Sequence, residues 1–123
     1  MIGKLGLIML VVKDMDRSVQ FYRDVLGVPL VFQTPHWSQL DAGNIQLGLH
    51  PESDHLKASP SEGCSFGFYV DNIQKIVAEL KAKAVKVLQE PQKEQFGWLA
   101  LVADPDGYVV QLFQTAAQAQ TGH

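Results

Sequence analysis

The chain has 123 residues, of which 46% are hydrophobic and 19% charged, and this balance is typical of one globular domain rather than a disordered segment. A formal net charge of −3 without a block of Lys and Arg disfavours a nucleic-acid partner. No apolar stretch approaches the roughly 20 residues that span a bilayer, and one cysteine, Cys64, excludes an internal disulfide. We therefore expect a cytoplasmic protein without a membrane partner, in which Cys64 is a buried structural residue.

The first half of the chain alternates between strand-like and helix-like patterns. Its helix is predicted from apolar side chains at positions 15, 19, 22 and 26, which share one helical face. Asp14 or Asp16 is expected to cap the first turn, and Gly27 to end the helix. The predicted segments are a strand at 7–12, this helix, and strands at 28–33, 37–40 and 45–47.

The second half repeats this order 58 residues later, which places Val12 on Val70, Tyr22 on Leu80 and Leu30 on Leu88. Trp37 and Trp98 are expected at equivalent positions of the repeat. The predicted segments are a strand at 65–70, a helix over 73–84, and strands at 85–89, 98–101 and 110–112. Between the last two strands, Asp-Pro-Asp-Gly at 104–107 predicts a tight turn.

These patterns predict an α+β fold in which two βαβββ modules, related by a pseudo-twofold, form an open eight-stranded cup-shaped sheet with the helices outside. The modules are placed at about 5–50 and 64–114, with a linker at 51–63 and a frayed tail at 115–123. Because a unit of about 55 residues buries too little surface to be stable alone, we expect one domain over 1–123. An open sheet edge also favours a homodimer.

Four segments resemble the vicinal oxygen chelate superfamily, which includes glyoxalase I, bleomycin-resistance proteins and extradiol dioxygenases. They are Val-Lys-Asp-Met-Asp-Arg-Ser-Val-Gln-Phe-Tyr at 12–22, Val-Leu-Gly at 25–27, Phe-Tyr-Val-Asp-Asn at 68–72 and Asp-Pro-Asp-Gly-Tyr at 104–108. The resemblance implies the same two-module fold. Metal-dependent members of this family bind their metal through His, Glu or Gln side chains at four inward positions. The resemblance implies that this chain has four equivalent positions.

Carried onto this chain, the four ligand positions fall on Leu7, Gln46, Ser65 and Gln111, although a slip of two residues would replace Gln46 by Gly48. A divalent ion of this kind prefers imidazole nitrogen or carboxylate oxygen, with enough negative charge to offset its desolvation. Leu7 offers no donor atom, and the serine hydroxyl and the two amides carry no charge. At these four positions the chain departs from the metal-dependent pattern, and we therefore expect neither a bound metal nor another cofactor. Gln46 and Gln111 either contact a ligand, or hydrogen-bond each other or water.

Strand alternation extends this inward face, because every second side chain of a strand points to the same side of a sheet. The face is expected to be apolar and aromatic with a few neutral hydrogen-bonding groups, as in sites for organic ligands. Alternatively, these side chains close the cavity as ordinary core. The predicted ligand-binding residues are Leu7, Met9, Gln46, His50, Ser65, Tyr69, Gln111 and Phe113, and no catalytic residue is assigned.

Two functions are compatible with these residues. The first is a metal-free protein, similar to the bleomycin-resistance branch, that sequesters a small aromatic or amphipathic organic ligand. The second is a metal-dependent glyoxalase-like lyase or isomerase, or a dioxygenase, with an unusual ligand set. The missing charged ligands favour the first.

Overall fold

A computed structural model describes residues 1–115 of the chain, which form two compact units divided between Ser59 and Pro60. This boundary lies inside the predicted linker, and we call the units module one and module two. Thr115, expected to begin the frayed tail, is instead the last residue of a strand. The rest of the predicted tail lies outside the described residues.

Module one has four strands and one helical segment. Its strand order is β1-β4-β3-β2, with β1 parallel to β4 and the other neighbours antiparallel. The elements are β1 (Leu7–Val12), α1 (Met15–Gln20), a π-helical turn (Phe21–Val25), β2 (Leu30–Gln33), β3 (Ser38–Asp41) and β4 (Gln46–Pro51).

Module two repeats this topology with strand order β5-β8-β7-β6 and the same parallel and antiparallel pairs. Its elements are β5 (Phe66–Tyr69), α2 (Ile73–Ala82), β6 (Val87–Glu94), β7 (Gly97–Ala103) and β8 (Val109–Thr115). The predicted α+β fold of two βαβββ modules is confirmed, and the eight strands of the described residues are shared equally between two four-stranded sheets.

Both helices begin at a polar side chain that accepts a hydrogen bond from the first turn. Asp14 Oδ1 accepts from the Arg17 backbone N–H at 3.1 Å, and Asn72 Oδ1 accepts from that of Lys75 at 3.2 Å. Such caps satisfy amide groups that have no partner within the helix. Of the two predicted candidates, Asp14 is therefore the cap.

The two helices end differently. In module one, Gly27 adopts a left-handed φ of 79° after the π-helical turn. The predicted helix of module two is two residues too long: α2 ends at Ala82, and Ala84 takes the left-handed conformation with φ 63°. Gly27 lies 13 positions after Asp14, whereas Ala84 lies 12 positions after Asn72. The wider π-helical turn accommodates the additional residue.

The additional residue changes the repeat offset after the helices. Leu30 lies opposite Leu40, and Val87 lies opposite Val102, with an irregularity in register after each pair. Val87 is therefore the counterpart of Leu30. The predicted match of Leu30 with Leu88 is wrong by one residue, and the Leu88 side chain is exposed.

The core of each module lies between its helix and one side of its sheet, as the alternation of apolar residues in the strands requires. Apolar side chains of the helices pack there against buried residues of the central strands. These residues are Val19, Tyr22, Leu40, Leu47 and Leu49 in module one, and Ile73, Val77, Leu80, Ala100, Val102, Val110 and Leu112 in module two.

The predicted turn before β8 is confirmed. The buried Asp104 side chain accepts hydrogen bonds from the backbone N–H groups of Asp106 and Tyr108, both at 2.9 Å. Gly107 completes the turn with φ 92°, which a glycine adopts without strain. Together these contacts fix the start of β8, the strand that carries Gln111 and Phe113.

Cys64 is exposed, so the expectation of a buried structural cysteine is wrong. The residue lies before β5 begins at Phe66 and is not part of the strand that packs on the core. Among the helices of the described residues, none combines the length and apolar character that crossing a bilayer requires.

Candidate functional site

The candidate site residues lie on the side of each sheet opposite its helix. One row of paired residues crosses each sheet on that side: Met9, Gly48, Gln39 and Phe32 in module one, and Gly67, Gln111, Leu101 and Gln89 in module two. Met9 and Gly67 are both five positions before the helix cap, so the two rows are equivalent. Each row contains one glycine, but on a different strand.

In module two, the glycine is covered by a phenylalanine. A Cβ at Gly67 would lie 2.7 Å from Phe113 Cε1 and 2.8 Å from Gln111 Cβ. The Phe113 ring makes edge-to-face contacts with Tyr69, at a centroid distance of 4.4 Å, and with Phe96, at 6.4 Å. Tyr69 is 67% exposed and Phe96 49% exposed, so these three rings form an accessible aromatic surface of the kind that binds organic groups.

A polar pair lies on the same side of this sheet. Gln111 Nε2 donates a hydrogen bond of 2.6 Å to Ser65 Oγ, which precedes β5. The structure thus brings together the four residues predicted in module two: Ser65, Tyr69, Gln111 and Phe113. Phe96 was not predictable from the sequence, because it lies in the short β6–β7 connection, where neither strand alternation nor the repeat indicates which way a ring points.

In module one, polar side chains form a continuous chain of hydrogen bonds, here called the Trp37–Asp41 relay. Trp37 Nε1 donates to Gln39 Oε1, Gln39 Nε2 donates to Gln46 Oε1, and Gln46 Nε2 donates to Asp41 Oδ1, each at 3.2 Å. Asp41 Oδ1 also accepts from the Gly43 backbone N–H at 2.9 Å. Both the carbonyl oxygen and the NH₂ group of the Gln46 amide are therefore hydrogen-bonded.

The Trp37 ring lies over Gly48, because a Cβ at Gly48 would overlap the ring carbons Cζ2 and Cη2. His50, two residues along the same strand, makes an edge-to-face contact with this ring at a centroid distance of 6.4 Å. The His50 Nδ1 atom lies 2.6 Å from the Pro51 carbonyl oxygen. That oxygen can only accept, so Nδ1 carries the proton, and in the neutral ring Nε2 is left as the acceptor.

The remaining two residues predicted in module one lie on β1. Leu7 is opposite Gln46 and Met9 is opposite Gly48, and both apolar side chains are exposed. The structure thus places Leu7, Met9, Gln46 and His50 on one side of the module-one sheet. Trp37 joins them, although the sequence did not predict its direction.

The expected equivalence of Trp37 and Trp98 is wrong. Trp37 lies two positions before Gln39, whereas Trp98 lies three positions before Leu101, the counterpart of Gln39 in the row of module two. A difference of one position in a strand reverses the direction of a side chain. Trp98 therefore points to the helix side of its sheet, whereas Leu99 and Leu101 point to the opposite side.

The same register bears on the second implied ligand position. Gln111 lies opposite Gly67, and its counterpart in module one is Gly48, opposite Met9. The assignment to Gly48 thus agrees with the equivalence of the two sheets, whereas Gln46 lies opposite Leu7. Either assignment leaves this position without a charged side chain.

The residues at the implied metal positions do not fit a divalent ion. Leu7 has no donor atom, both polar ends of the Gln46 amide already have partners, and Ser65 is hydrogen-bonded to Gln111. A divalent ion in such a site needs anionic oxygen or imidazole ligands to offset its desolvation. Within residues 1–115, no three His, Cys, Asp or Glu side chains cluster in a way that could hold a metal.

A cleft of about 480 Å³ lies elsewhere in module one, at the start of α1. Across it, the Gln33 amide donates a hydrogen bond of 2.7 Å to Asp16 Oδ1. The cleft contains none of the predicted site residues. Its lining consists of Asp14, Met15, Asp16, Gln33, Thr34 and Pro35.

Comparison with known sequences identifies a family. A family model described as "Glyoxalase/Bleomycin resistance protein/Dioxygenase superfamily" matches residues 4–112. A probable lactoylglutathione lyase of Vibrio parahaemolyticus is 31% identical over 134 residues, which cover 98% of this chain and 96% of that protein. A chloroplastic probable lactoylglutathione lyase of Arabidopsis thaliana is 32% identical over 84% of this chain, but this chain spans only 33% of its length.

Solved structures show the same fold. TnmS3, described as an antibiotic binding protein from Streptomyces sp. CB03234, superposes with a TM-score of 0.78 at 24% identity, over 94% of this chain and 98% of that one. A lactoylglutathione lyase from Agrobacterium tumefaciens superposes with a TM-score of 0.70 at 20% identity, over 90% and 92% of the two chains. At these identities the likeness concerns the fold alone.

Proposed function

The chain belongs to the glyoxalase/bleomycin resistance protein/dioxygenase superfamily, and we propose that within it the protein binds a small aromatic or amphipathic organic ligand without a metal. The observation that carries this proposal is the chemistry of the four implied ligand positions. They hold an alkyl chain, a hydroxyl and two amides, and the amides are already hydrogen-bonded within their own modules. Such groups suit an organic molecule better than a divalent ion.

Module two supplies the stronger support for an organic ligand. The rings of Tyr69, Phe113 and Phe96 present accessible apolar area, which aromatic or amphipathic molecules bind by dispersion and desolvation. The Gln111 amide beside them keeps its carbonyl oxygen and one N–H for a polar group of the ligand, since its bond to Ser65 uses the other N–H.

Module one presents a second set of contacts of mixed character. Leu7 and Met9 offer exposed apolar surface, Gln46 an amide, and His50 an acceptor nitrogen. One structure of the same fold, TnmS3, is described as an antibiotic binding protein, which agrees with a binding function on this scaffold. The net charge of −3 favours a neutral or cationic ligand over an anionic one.

The alternative is a metal-dependent lyase. The observation that favours it is the set of relatives at about 30% identity named lactoylglutathione lyase, such as the proteins of Vibrio parahaemolyticus and Synechocystis. Those names concern the relatives. In this chain, the four implied metal positions contain neither a carboxylate nor an imidazole. A lyase would therefore have to bind its metal through other types of side chain.

Metal analysis and ligand screening together decide between the two functions. Purified protein should contain less than about a tenth of an equivalent of Zn, Ni, Mn or Fe, because the four positions lack charged ligands. It should not form S-lactoylglutathione from glutathione and a 2-oxoaldehyde, with or without added metal. A thermal-shift screen of glutathione adducts, catechols and glycopeptide antibiotics should find a ligand. A ligand at a concentration of 100 times its Kd stabilises the folded state by about 2.7 kcal/mol, which such a screen detects. Near-stoichiometric metal with lyase turnover would establish the alternative.

Replacing Gln111 with alanine tests the module-two contact. The substitution should leave folding almost unchanged, because the side chain is only half-buried, and should weaken the ligand found in the screen by about tenfold, as expected for one lost hydrogen bond. The exposed Gln74 of α2 provides the matched control, and Q74A should bind the ligand normally. Equal affinity of Q111A and wild type would remove Gln111 from the site.

We also propose that the protein forms a homodimer. The two sheets end on β1 and β2 and on β5 and β6, respectively, and edge strands of this kind favour association with a second chain. Sedimentation at micromolar concentration should give twice the chain mass of 13.6 kDa. A stable monomer would contradict the proposal.

A further inference from the structure

We propose that module one contains an aromatic-stacking subsite, built around Trp37, for a planar aromatic group that carries an N–H or O–H donor on its edge. This inference rests on the proposed binding function and names the chemical class of one part of the ligand. Three features carry it: the position of the ring, the hydrogen bonds that hold it, and the histidine acceptor of the neighbouring ring.

The position of the ring is set by a missing side chain. Gly48 lies in the central strand β4, between Met9 of β1 and Gln39 of β3. Without a Cβ at this point, the Trp37 indole lies directly on the sheet, in the space that any other residue would fill. Trp37 is only half-buried, which leaves part of the residue accessible to a ligand.

The Trp37–Asp41 relay holds this ring in one orientation. An indole N–H can only donate, and a carboxylate can only accept. Because the relay has one such group at each end, neither Gln39 nor Gln46 can turn its amide over without losing hydrogen bonds on both sides. Asp41 is thus a positioning residue, which acts on Trp37 through the two amides. A ring held in advance loses less conformational entropy when a ligand stacks on it.

His50 supplies the polar part of the subsite. Its Nδ1–H is engaged by the Pro51 carbonyl oxygen, and its ring stands edge-to-face against Trp37. In the neutral ring, Nε2 therefore keeps a lone pair, and it belongs to a ring that contacts the Trp37 indole. A bound aromatic group matches this arrangement when its edge carries a donor, as in an aromatic amine or a phenol.

Two acridine dyes provide matched probes of this class. Proflavine is planar and cationic and carries two amino groups with N–H donors, whereas acridine orange has the same ring system with both amino groups fully methylated. Because the chain has two tryptophans, W98F leaves Trp37 as the only indole. Saturable quenching of W98F fluorescence by proflavine is expected, and the fluorescence anisotropy of the dye measures the affinity of each variant.

Replacing Trp37 with leucine should weaken proflavine binding at least about fivefold, the lower end of the range for base–aromatic stacking. W37F keeps an aromatic ring but removes the indole donor, so it should bind within about threefold of wild type and still bind better than W37L. The comparison of the two variants separates stacking from any general loss of fold, which circular dichroism also checks.

D41N, which also allows the relay to run in reverse, should broaden the fluorescence lifetime distribution of Trp37 in W98F.

Replacing His50 with phenylalanine should weaken proflavine at least about threefold and acridine orange less, because both cations share a ring N–H but only proflavine has amino N–H donors for Nε2. H50Q keeps an acceptor and should restore proflavine binding. His36, an exposed histidine of the same module, is the control, and H36F should behave as wild type.

Several results would overturn this inference. They are equal proflavine affinity in W37L and wild type, binding without quenching of Trp37 in W98F, an equal loss of both dyes in H50F, and no binding of either dye. Binding that survives W37L but is lost in Y69A would place the ligand on module two, which rejects this subsite while the proposed function stands. Metal with lyase turnover would instead reject the proposed function itself.

Discussion

The equivalent rows of the two modules each contain one glycine under an aromatic ring, but the surroundings of that ring differ. In module one, Trp37 covers Gly48 and is tied by its indole N–H to the relay that ends at Asp41. In module two, Phe113 covers Gly67 and makes ring contacts with Tyr69 and Phe96 on that side. One topology thus supports a polar, directional surface and an apolar, less directional one.

The difference follows from where the ring enters the sheet. Trp37 precedes β3 and reaches over to Gly48 of the neighbouring strand, so its indole nitrogen lies beside Gln39 of its own strand. Phe113 belongs to β8 and bends over Gly67 of β5, close to the turn that carries Phe96. Hydrogen bonds fix the first ring, whereas packing alone fixes the second, and only the first depends on amide orientation.

The largest effect is expected where the modules are most alike, in their cores. Leu40 and Val102 are counterparts, and both are fully buried. Leu40→Ala should lower the free energy of unfolding by about 3 kcal/mol and Val102→Ala by about 2 kcal/mol, from lost transfer free energy and the cavity that remains.

Urea denaturation followed by circular dichroism measures both losses. The exposed Val31 is the control, and V31A should change the free energy of unfolding by less than about 0.5 kcal/mol. A loss for L40A as small as that of V31A would contradict the position of Leu40 in the core.

Alanine substitutions at Gly48 and Gly67 test the difference between the two modules more directly. Gly48→Ala pushes a methyl group into the Trp37 ring and should lower the free energy of unfolding by about 2 kcal/mol. Gly67→Ala meets both the Phe113 ring and Gln111, so a loss of similar size is expected. Thermal and urea denaturation give the two values.

Double variants distinguish the two cases. Trp37 is responsible for the close contacts at Gly48, so G48A should cost almost nothing in a W37A background. At Gly67, the backbone oxygen and Cβ of Gln111 remain when Phe113 is removed, so G67A should still be destabilising in F113A. Equal rescue in both modules would show that the rings alone set the space above the glycines.

The fold was predictable from sequence because several independent signals agree. The helical spacing of apolar residues, the expected cap at Asp14 or Asp16 and the turn at Asp104 each act over a few residues, and the order of strands and helix occurs twice. Strand alternation also placed Leu7, Met9, Gln46 and His50 on one side of module one. The same rule placed Ser65, Tyr69, Gln111 and Phe113 on one side of module two.

The features that were missed depend on backbone geometry rather than residue type. The π-helical turn shifts the repeat by one residue, and an offset counted from the strands before it cannot contain that shift. The direction of Trp37 depends on the register of β3, and the Trp37–Asp41 relay depends on amide groups that sequence leaves free to rotate. Exposure of Cys64 follows from where β5 begins.

The smallest effect concerns the two helix ends. Ala84 and Gly27 are both exposed and both left-handed, with φ of 63° and 79°. Because a Cβ is strained in this conformation, Ala84→Gly should raise the free energy of unfolding by up to about 1 kcal/mol, and Gly27→Ala should lower it by about the same amount. A Cβ at Gly27 would meet no atom within 4 Å, so backbone strain alone is measured there. Both variants should keep the wild-type urea m-value. If A84G is destabilising instead, the conformational freedom that glycine adds to the unfolded chain outweighs the strain at Ala84, and the two modules do not end their helices by the same physical rule.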